Sequence, residues 1–559
     1  MKTYPKNSIM KITFKVKLLL LLVSIFVFST SKAQNDTSEP QKITIISAYK
    51  PVLRTAAKLN FSGSNLVADT VKNLLAYDIP VQHLVYSYQP ISLKPLSVEN
   101  DTLIRTGNRY AIKAGYGTQS MPYLRAAASF GDGETSIINV YGDYYSAKGK
   151  IANQDFSHLQ LKANGSYFLT NNELYVAAGF TSNQYYQYGY DHNIHTYNKD
   201  YVSNHFQDIS LSAGFRNTTE NAAGINYDPH FSFDVFNANK GLYETTLKAN
   251  LPANKKINDL FTVKAELDFD LTHFQTKGFI PNNITFNNNV NSFKPSLFYK
   301  NDLVKVNGGA KAVFNNGKFL LLPDVYGEMA FMKEKFLLQA GWTGKVVKNT
   351  YQHLTDLNPY LGDLFDQTNT IETELYGGIK SSLGKHVLFS AKASFIGYKD
   401  FQLFYNDTAS SSDGRRFLVS NEKSMKNFRL HGDLSYIIRD KFKLTGGIDF
   451  NGYTGLKTNA KAWNTLPVEA NASVSWYPIN KLTVKSDFYF FAGGYYLEKD
   501  NMAKRFDGAA DWSLGFEYKI KKQFGAFINL NNIFGKNYER WHGYPVYGFN
   551  VLGGLSLQF

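Results

Sequence analysis

Apolar and polar residues alternate along most of this chain, and the alternation is clearest at its C-terminal end. From Tyr547 to Phe559 the odd positions are mainly large and apolar, and the even positions are mainly small or polar, with Leu552 the exception. A two-residue period is that of a β-strand with two different faces. This pattern is typical of a last strand that closes a barrel against the first strand and turns its apolar face to lipid. The outward residues of that strand are Phe549, Val551, Leu555, Leu557 and Phe559.

The same alternation recurs from Asn108 to Phe559 in runs of 10–17 residues. Ile209, Leu211 and Phe215 face one way in one run, while Ser210 and Arg216 face the other. A soluble β-sandwich has shorter runs, so the pattern favours an all-β fold: a large transmembrane antiparallel β-barrel over residues 108–559.

Short and long connections take turns between these runs. Tight turns such as Gly131–Glu134, Lys300–Asp302 and Arg439–Lys441 alternate with long links such as Tyr190–His205 and Asn349–Gln367. Short periplasmic turns and long outer loops are typical of such barrels. One strand between each pair of connections gives 22 strands, an even number that places both ends of the barrel on the periplasmic side.

The first 33 residues have the pattern of a signal peptide. A lysine-rich start is followed by the apolar run Leu18–Phe28, and Ser31 and Ala33 supply the small residues of a cleavage site. An uncleaved anchor is the less favoured alternative, because the run is too short to span a bilayer as a helix. The sequence therefore predicts export to the Gram-negative cell outer membrane.

Residues 34–107 differ from the rest of the chain, because they contain five prolines, few aromatic residues and no hairpin rhythm. We interpret them as a short N-terminal periplasmic or plug-like segment, or as a strap along the barrel wall.

Composition excludes several classes of protein. The chain has no cysteine, so it has no disulfide, thiolate metal site or thiol nucleophile. Six of its 60 lysines and arginines lie in residues 1–33, which contain no acidic residue. The remaining 54 basic and 46 acidic residues give only a small positive net charge, which does not indicate a nucleic-acid-binding protein. Aromatic residues make up 15% of the chain, and a membrane barrel would place many of them in the two aromatic belts at its membrane–water interfaces.

The C-terminal phrase from Asn529 to Glu539, NLNNIFGKNYE, and the strand count resemble the TonB-dependent receptor barrel of the Bacteroidota type. Near the mature N-terminus, Lys42, Ile43, Thr44, Ile45, Ile46, Ser47 and Ala48 are similar to a TonB box. The resemblance implies nutrient transport across the outer membrane and contact with TonB. One departure is the 74 residues from Gln34 to Gly107, roughly half the length of that family's plug, so we expect a reduced or absent plug.

Two outer loops carry candidate ligand contacts. Residues 349–367 contain Asp356, Tyr360, Asp363 and Asp366, and the spacing of Leu354, Leu357, Leu361 and Leu364 predicts a short amphipathic helix that folds into the lumen, caps the pore or covers the rim. The last loop adds Trp541 and Tyr544.

Other polar clusters have a plainer interpretation. Asp191, His192, His195 and His205 match no standard metal motif, so we predict neither a metal nor a cofactor. Tyr185, Tyr186, Tyr188 and Tyr190 are interpreted as interface-girdle residues rather than as a sugar platform. No local phrase joins Ser, His and a carboxylate, so the chain is not expected to be an enzyme.

Two functions fit the sequence. The favoured one is a transporter that imports a nutrient. The alternative is a non-energised pore, like a porin, or a structural or assembly subunit whose lumen a partner fills. Expected partners are outer-membrane lipid, the barrel assembly machinery acting through the C-terminal strand, and TonB or a periplasmic or surface protein; nucleic acid is not expected.

Overall fold

The computed structural model describes residues 109–559 except 240, 279–282, 332–334, 363–366, 384–385, 408–412, 440 and 499–501. The predicted signal peptide, the segment 34–107 and the segment Lys42–Ala48 lie outside the described residues, so their assignments stay predictions.

Twenty-three strands form one antiparallel sheet. Its first half contains β1 (Tyr110–Gly117), β2 (Met121–Gly131), β3 (Ser136–Lys148), β4 (Asp155–Phe168), β5 (Asn172–Tyr186), β6 (Ser203–Asn217), β7 (Ile225–Tyr227), β8 (His230–Ala238), β9 (Leu242–Lys256), β10 (Phe261–Thr276), β11 (Thr285–Lys300) and β12 (Val304–Asn315).

The second half of the sheet is interrupted by one helix and two small hairpins. Its elements are β13 (Lys318–Phe331), β14 (Phe336–Val347), helix α1 (Tyr351–Leu357), β15 (Thr370–Leu383), β16 (Val387–Asn406), β17 (Phe417–Ile438), β18 (Phe442–Thr454), β19 (Val468–Ile479), β20 (Leu482–Ala492), β21 (Tyr495–Leu497), β22 (Ala503–Arg505), β23 (Ala509–Lys519), β24 (Phe524–Asn531), β25 (Glu539–Trp541), β26 (Tyr544–Pro545) and β27 (Asn550–Gln558). The pairs β21–β22 and β25–β26 are the separate hairpins.

The sheet closes on itself, because β27 pairs with β24 on one side and with β1 on the other. The short strand β7 continues the line of β8 along β9, so the two form one strand of the wall. The wall therefore has 22 strands, which confirms the predicted fold and count. Closure leaves no unpaired sheet edge, as a lipid environment requires.

The two faces of the wall match the alternation in the sequence. Ile209, Leu211 and Trp342 are among the large apolar side chains that remain exposed on the outer surface, whereas Lys113 and Arg125 are buried on the inner face. The long connections lie at the end of the barrel opposite to where β1 begins and β27 ends, although the short turns 118–120 and 316–317 lie at that end too.

Two glycines bring β1 and β27 close together. Gly115 is the Cα partner of Gly554, and a Cβ added to Gly554 would lie 2.1 Å from the carbonyl oxygen of Ala114. The ring of Phe527 lies against the same glycines on the inner face, and Lys113 Nζ is 4.3 Å from the centre of that ring. An aromatic side chain that covers paired glycines compensates for their missing side chains.

Among the described residues, α1 is the only α-helix, and no helix there is long and apolar enough to cross a membrane.

Candidate functional site: the outer cap

The long connections pack together at one end of the barrel, and we call them the outer cap. The cap consists of the described residues of the segments 187–202, 348–369, 407–416, 455–467 and 532–549. Most of its buried aromatic and aliphatic side chains belong to one hydrophobic cluster, which also includes residues from the wall beneath. Loops that share one buried cluster are held in place by each other as well as by their own strands.

Helix α1 is attached to the barrel at its N-terminus. The Thr350 hydroxyl accepts the His353 N–H at 3.1 Å, as an N-cap does. The Glu244 carboxylate, at the start of β9, accepts the Tyr351 N–H at 2.8 Å and the Gln367 side-chain amide at 3.1 Å. Leu354 and Leu357 are buried in the cap cluster, so the predicted short helix is present, but it ends at Leu357 and does not include Leu361.

Three tyrosines from three loops meet in the cap. The rings of Tyr360 and Tyr544 stack with centroids 3.5 Å apart. The Tyr188 ring meets both of them edge-on, with its centroid 4.9 Å from that of Tyr544 and 5.9 Å from that of Tyr360. The Tyr188 hydroxyl donates to the Pro545 carbonyl at 2.9 Å, and burial raises the pKa of Tyr188 to about 12.

These three loops leave the wall at nearly even intervals. Eight wall strands separate the Tyr360 loop from the Tyr544 loop (β15–β20, β23 and β24), and six separate the Tyr544 loop from the Tyr188 loop (β27 and β1–β5). The remaining eight, with β7 and β8 counted as one, complete the circle. Loops that start about a third of the circumference apart can touch only if they extend inward over the opening.

Trp541 joins the last loop to the longest hairpin of the barrel. Its ring is 2% exposed and meets Phe404 and Phe417 edge-on, at centroid distances of 5.4 and 5.2 Å. Nearby, the Asn406 amide donates to the His542 carbonyl at 3.3 Å, and the Tyr544 hydroxyl donates to the Arg415 carbonyl.

That hairpin extends beyond the wall as a two-stranded ribbon. β15 pairs with β16 only as far as Lys399, and β18 pairs with β17 only from Lys426, whereas residues 401–406 and 417–422 pair with each other. Asp400 has φ +56° where the ribbon begins, a conformation rare for a residue with a side chain. The ribbon's two faces are buried in different clusters: Phe404 and Phe417 in the main one, Phe401 and Leu403 in the one around Trp463.

A buried carboxylate holds the neighbouring loop against this ribbon. Glu422 is 0% exposed, and its oxygens accept the backbone N–H groups of Lys457, Thr458 and Asn459 at 2.6, 3.0 and 2.7 Å. The same loop reaches the ribbon again where the Asn464 amide donates to the Phe404 carbonyl at 2.7 Å. Charge-assisted hydrogen bonds of this kind are stronger than neutral ones.

The outer surface of the cap has its own aromatic group. The ring of Tyr197 stacks on His195 and on Tyr201, and the Arg415 guanidinium carbon lies 4.6 Å from the centre of Tyr197. The Tyr197 hydroxyl donates to Asp413 at 2.8 Å. These contacts join the β5–β6 loop to the β16–β17 loop.

The candidate residues from the sequence have different outcomes. Tyr360, Trp541 and Tyr544 come together in the cap, whereas the Asp356 side chain is exposed. Asp363 and Asp366 lie outside the described residues. On β27, Leu555 and Leu557 are exposed on the outer face and Val551 is partly exposed; Phe549 and Phe559, which flank the strand, are also exposed. Ligand contact itself stays a prediction for the residues of the two loops.

The girdle interpretation is wrong for Tyr185, Tyr188 and Tyr190, which are 6–7% exposed instead of facing lipid. Tyr185 packs at the end of β5 against Phe206, and Tyr188 and Tyr190 pack within the loop that follows. The histidines are also apart: the His192 ring bonds the Tyr188 carbonyl at 3.1 Å, whereas the His205 ring bonds Ser182 on the wall at 2.9 Å. Within the part of the chain that the structure describes, no group of three His, Asp or Glu side chains is placed to hold a metal ion.

Sequence reasoning missed Glu244, Glu422, Phe404 and Phe417. A signal for the two phenylalanines was available, because the alternating runs of β16 and β17 are much longer than the roughly 9–11 residues that cross a membrane. The glutamates have no such signal, since their partners are backbone N–H groups of distant loops.

Ion pairs line the inner face of the wall: three join adjacent strands, and two, Lys113–Glu517 and Lys380–Glu328, reach across intervening strands. The distances are 2.6–3.1 Å for Lys113–Glu517, Arg125–Asp143, Lys380–Glu328, Lys392–Glu374 and Arg429–Asp449. A polar inner face is typical of a barrel whose lumen admits water or a polar filling.

The fold is the closed 22-strand barrel of TonB-dependent receptors. It is similar to the iron transporter FrpB from Neisseria meningitidis (TM-score 0.63, 10% identity, 80% of this chain and 81% of that chain). It is also similar to the siderophore receptor PirA from Acinetobacter baumannii (TM-score 0.61, 11% identity, 80% of each chain) and to the copper transporter OprC (TM-score 0.58, 12% identity, 81% and 83%). The receptor-like barrel inferred from the sequence is thereby confirmed.

No protein-family model and no curated protein matches this chain in sequence.

Proposed function

We propose that this protein is an outer-membrane importer whose outer mouth is closed at rest by the cap and opens to admit a nutrient. The observation that carries the proposal is the meeting of Tyr188, Tyr360 and Tyr544 from loops spaced around the whole wall, above an inner face lined with polar groups. A free pore needs an open mouth, whereas an importer needs one that opens on demand.

The similar solved structures support this proposal, since they are described as transporters and receptors for iron, siderophores or copper. They also agree with the expectation that the chain is not an enzyme. In the same proposal, residues 34–107 close the lumen from the periplasmic side and Lys42–Ala48 is the segment that TonB pulls.

Single-channel conductance in planar bilayers tests whether the cap and the N-terminal segment each block the lumen. Four proteins are compared: the mature chain, the chain without residues 34–105, a Trp541→Ala/Tyr544→Ala cap variant, and the combination. We expect the mature chain to be closed and the combination to conduct most. Free conductance by the mature chain would make it a porin. A combination that stays closed until a co-purified protein is removed would indicate the partner-filled alternative.

Contact with TonB needs a separate measurement. A peptide of residues 34–60 is titrated into the C-terminal domain of TonB, with an Ile45→Pro peptide as the matched control. A proline removes a backbone N–H, so it should abolish binding by strand addition. If both peptides bind equally, or if neither binds, the proposal that TonB drives import is wrong. The proposal of a gated barrel would then still stand.

A further inference from the structure

A row of large apolar side chains crosses four neighbouring strands on the outer surface of the barrel. Trp342, Leu375, Phe395 and Phe428 are consecutive Cα partners across β14, β15, β16 and β17. They are 55%, 56%, 65% and 41% exposed, and the rings of Phe395 and Phe428 lie 5.0 Å apart. Exposed aromatic side chains toward the ends of barrel strands are typical of the membrane–water interface.

Two lysines follow directly above this row on the same outward face. Lys426 lies two residues beyond Phe428 on β17, opposite Gly397, and Lys399 lies four residues beyond Phe395 on β16, opposite Ser424. They are therefore diagonal neighbours on adjacent strands, a relation that places Cα atoms about 7–8 Å apart. Both side chains are exposed, and within the described residues neither forms an ion pair.

A third lysine lies beside this pair. The loop after β18 folds onto this face: a Cβ added to Gly455 would lie 3.9 Å from Lys426 Cγ, and the exposed Lys457 follows two residues later. The outward residues of β15 and β18 in register with Gly397 and Lys426 are Thr373 and Thr454. Glu422, opposite Phe401 on the ribbon, is fully buried, and its carboxylate accepts the N–H groups of residues 457–459.

We propose that Lys399, Lys426 and Lys457 bind the phosphate of a phosphorylated lipid headgroup in the outer leaflet. Lysines bind phosphate as flexible point charges, and the row beneath them would hold the acyl chains of the same lipid molecule. The proposal depends on the proposed function only for the orientation of the cap toward the cell exterior. It holds whether the barrel transports a nutrient or serves another role.

Native mass spectrometry of the full-length protein in detergent measures this binding. The probes are a diphosphorylated glucosamine-based lipid, phosphatidylcholine, and inorganic phosphate as a competitor. The variant is Lys399→Ala/Lys426→Ala, and Lys399→Arg/Lys426→Arg retains the charge. The matched control is Lys148→Ala/Lys318→Ala, which removes two exposed lysines from the same end of the barrel on separate strands.

We expect the wild type, the arginine variant and the control to retain the diphosphorylated lipid, and the alanine variant to bind it at least tenfold more weakly. Phosphatidylcholine should bind all four proteins equally. Equal retention of the diphosphorylated lipid by the wild type and the alanine variant would overturn the proposal. Displacement by inorganic phosphate at equal concentration would overturn the lipid assignment, because it would show a site for free phosphate.

Discussion

The ring of Tyr544 stacks on the ring of Tyr360 with the two planes 19° from parallel. The two residues come from the loops after β24 and β14, which stand on different sides of the wall. The Tyr544 hydroxyl also bonds the Arg415 carbonyl in a third loop. One side chain therefore links three of the loops that make up the cap.

Tyr544→Ala should open the cap. Removing a buried aromatic ring costs about 3–5 kcal/mol, and here the loss would destabilise the closed arrangement of the loops. Limited proteolysis of the native protein would show faster cleavage in residues 348–369 and 532–549. Tyr544→Phe keeps the stack and loses one hydrogen bond, so its cleavage rate should change by only about fivefold for a loss near 1 kcal/mol. Equal rates for the alanine and phenylalanine variants would show that the stack does not hold the loops.

Glu422→Ala should release the loop between β18 and β19. The substitution leaves several backbone N–H groups buried without an acceptor, which costs on the order of 2 kcal/mol or more. Hydrogen exchange of residues 455–461 should become roughly 30-fold faster, while exchange in the wall stays unchanged. Glu422→Gln retains one oxygen acceptor and should give an intermediate rate. Unchanged exchange in the alanine variant would mean that other contacts hold the loop.

The barrel was predictable because its strands carry their own pattern. Ile209 and Trp342 face lipid since every second residue of a strand points outward. The leucine spacing predicted a helix in the loop after β14, although the helix ends at Leu357, before Leu361. The contacts of Tyr188 were not predictable in the same way. Its position near the end of a strand is also that of an interface-girdle residue. Only the closed barrel, with its loops folded inward, brings Tyr188 to Tyr360 and Tyr544.

Gly554→Val should impair closure of the barrel between β1 and β27. The new side chain would meet the Ala114 carbonyl and the Phe527 ring, and overpacking of this kind costs about 1–3 kcal/mol. Folded barrels migrate faster than unfolded chains in unheated detergent gels, so the folded fraction can be read directly. Gly553→Val is the matched control, because a Cβ there meets only the Phe527 carbonyl oxygen at 3.7 Å. A full yield of folded Gly554→Val would show that the close approach is not required.

Acid should loosen the cap through His353 in helix α1. Burial, and then the nearby Lys248 and Lys345, lower the pKa of His353 from 6.5 to about 4. The opened cap takes up the proton more readily than the closed cap, so the closed form is fully stable above pH 6.5 and loses stability as the pH falls toward 4. Proteolysis of residues 348–369 by an acid-tolerant protease should therefore accelerate over that interval. His353→Gln cannot take up the proton and should remove the acceleration, while leaving the slow rate at pH 7.5 in place. An identical pH profile for the two proteins would assign the effect to another group.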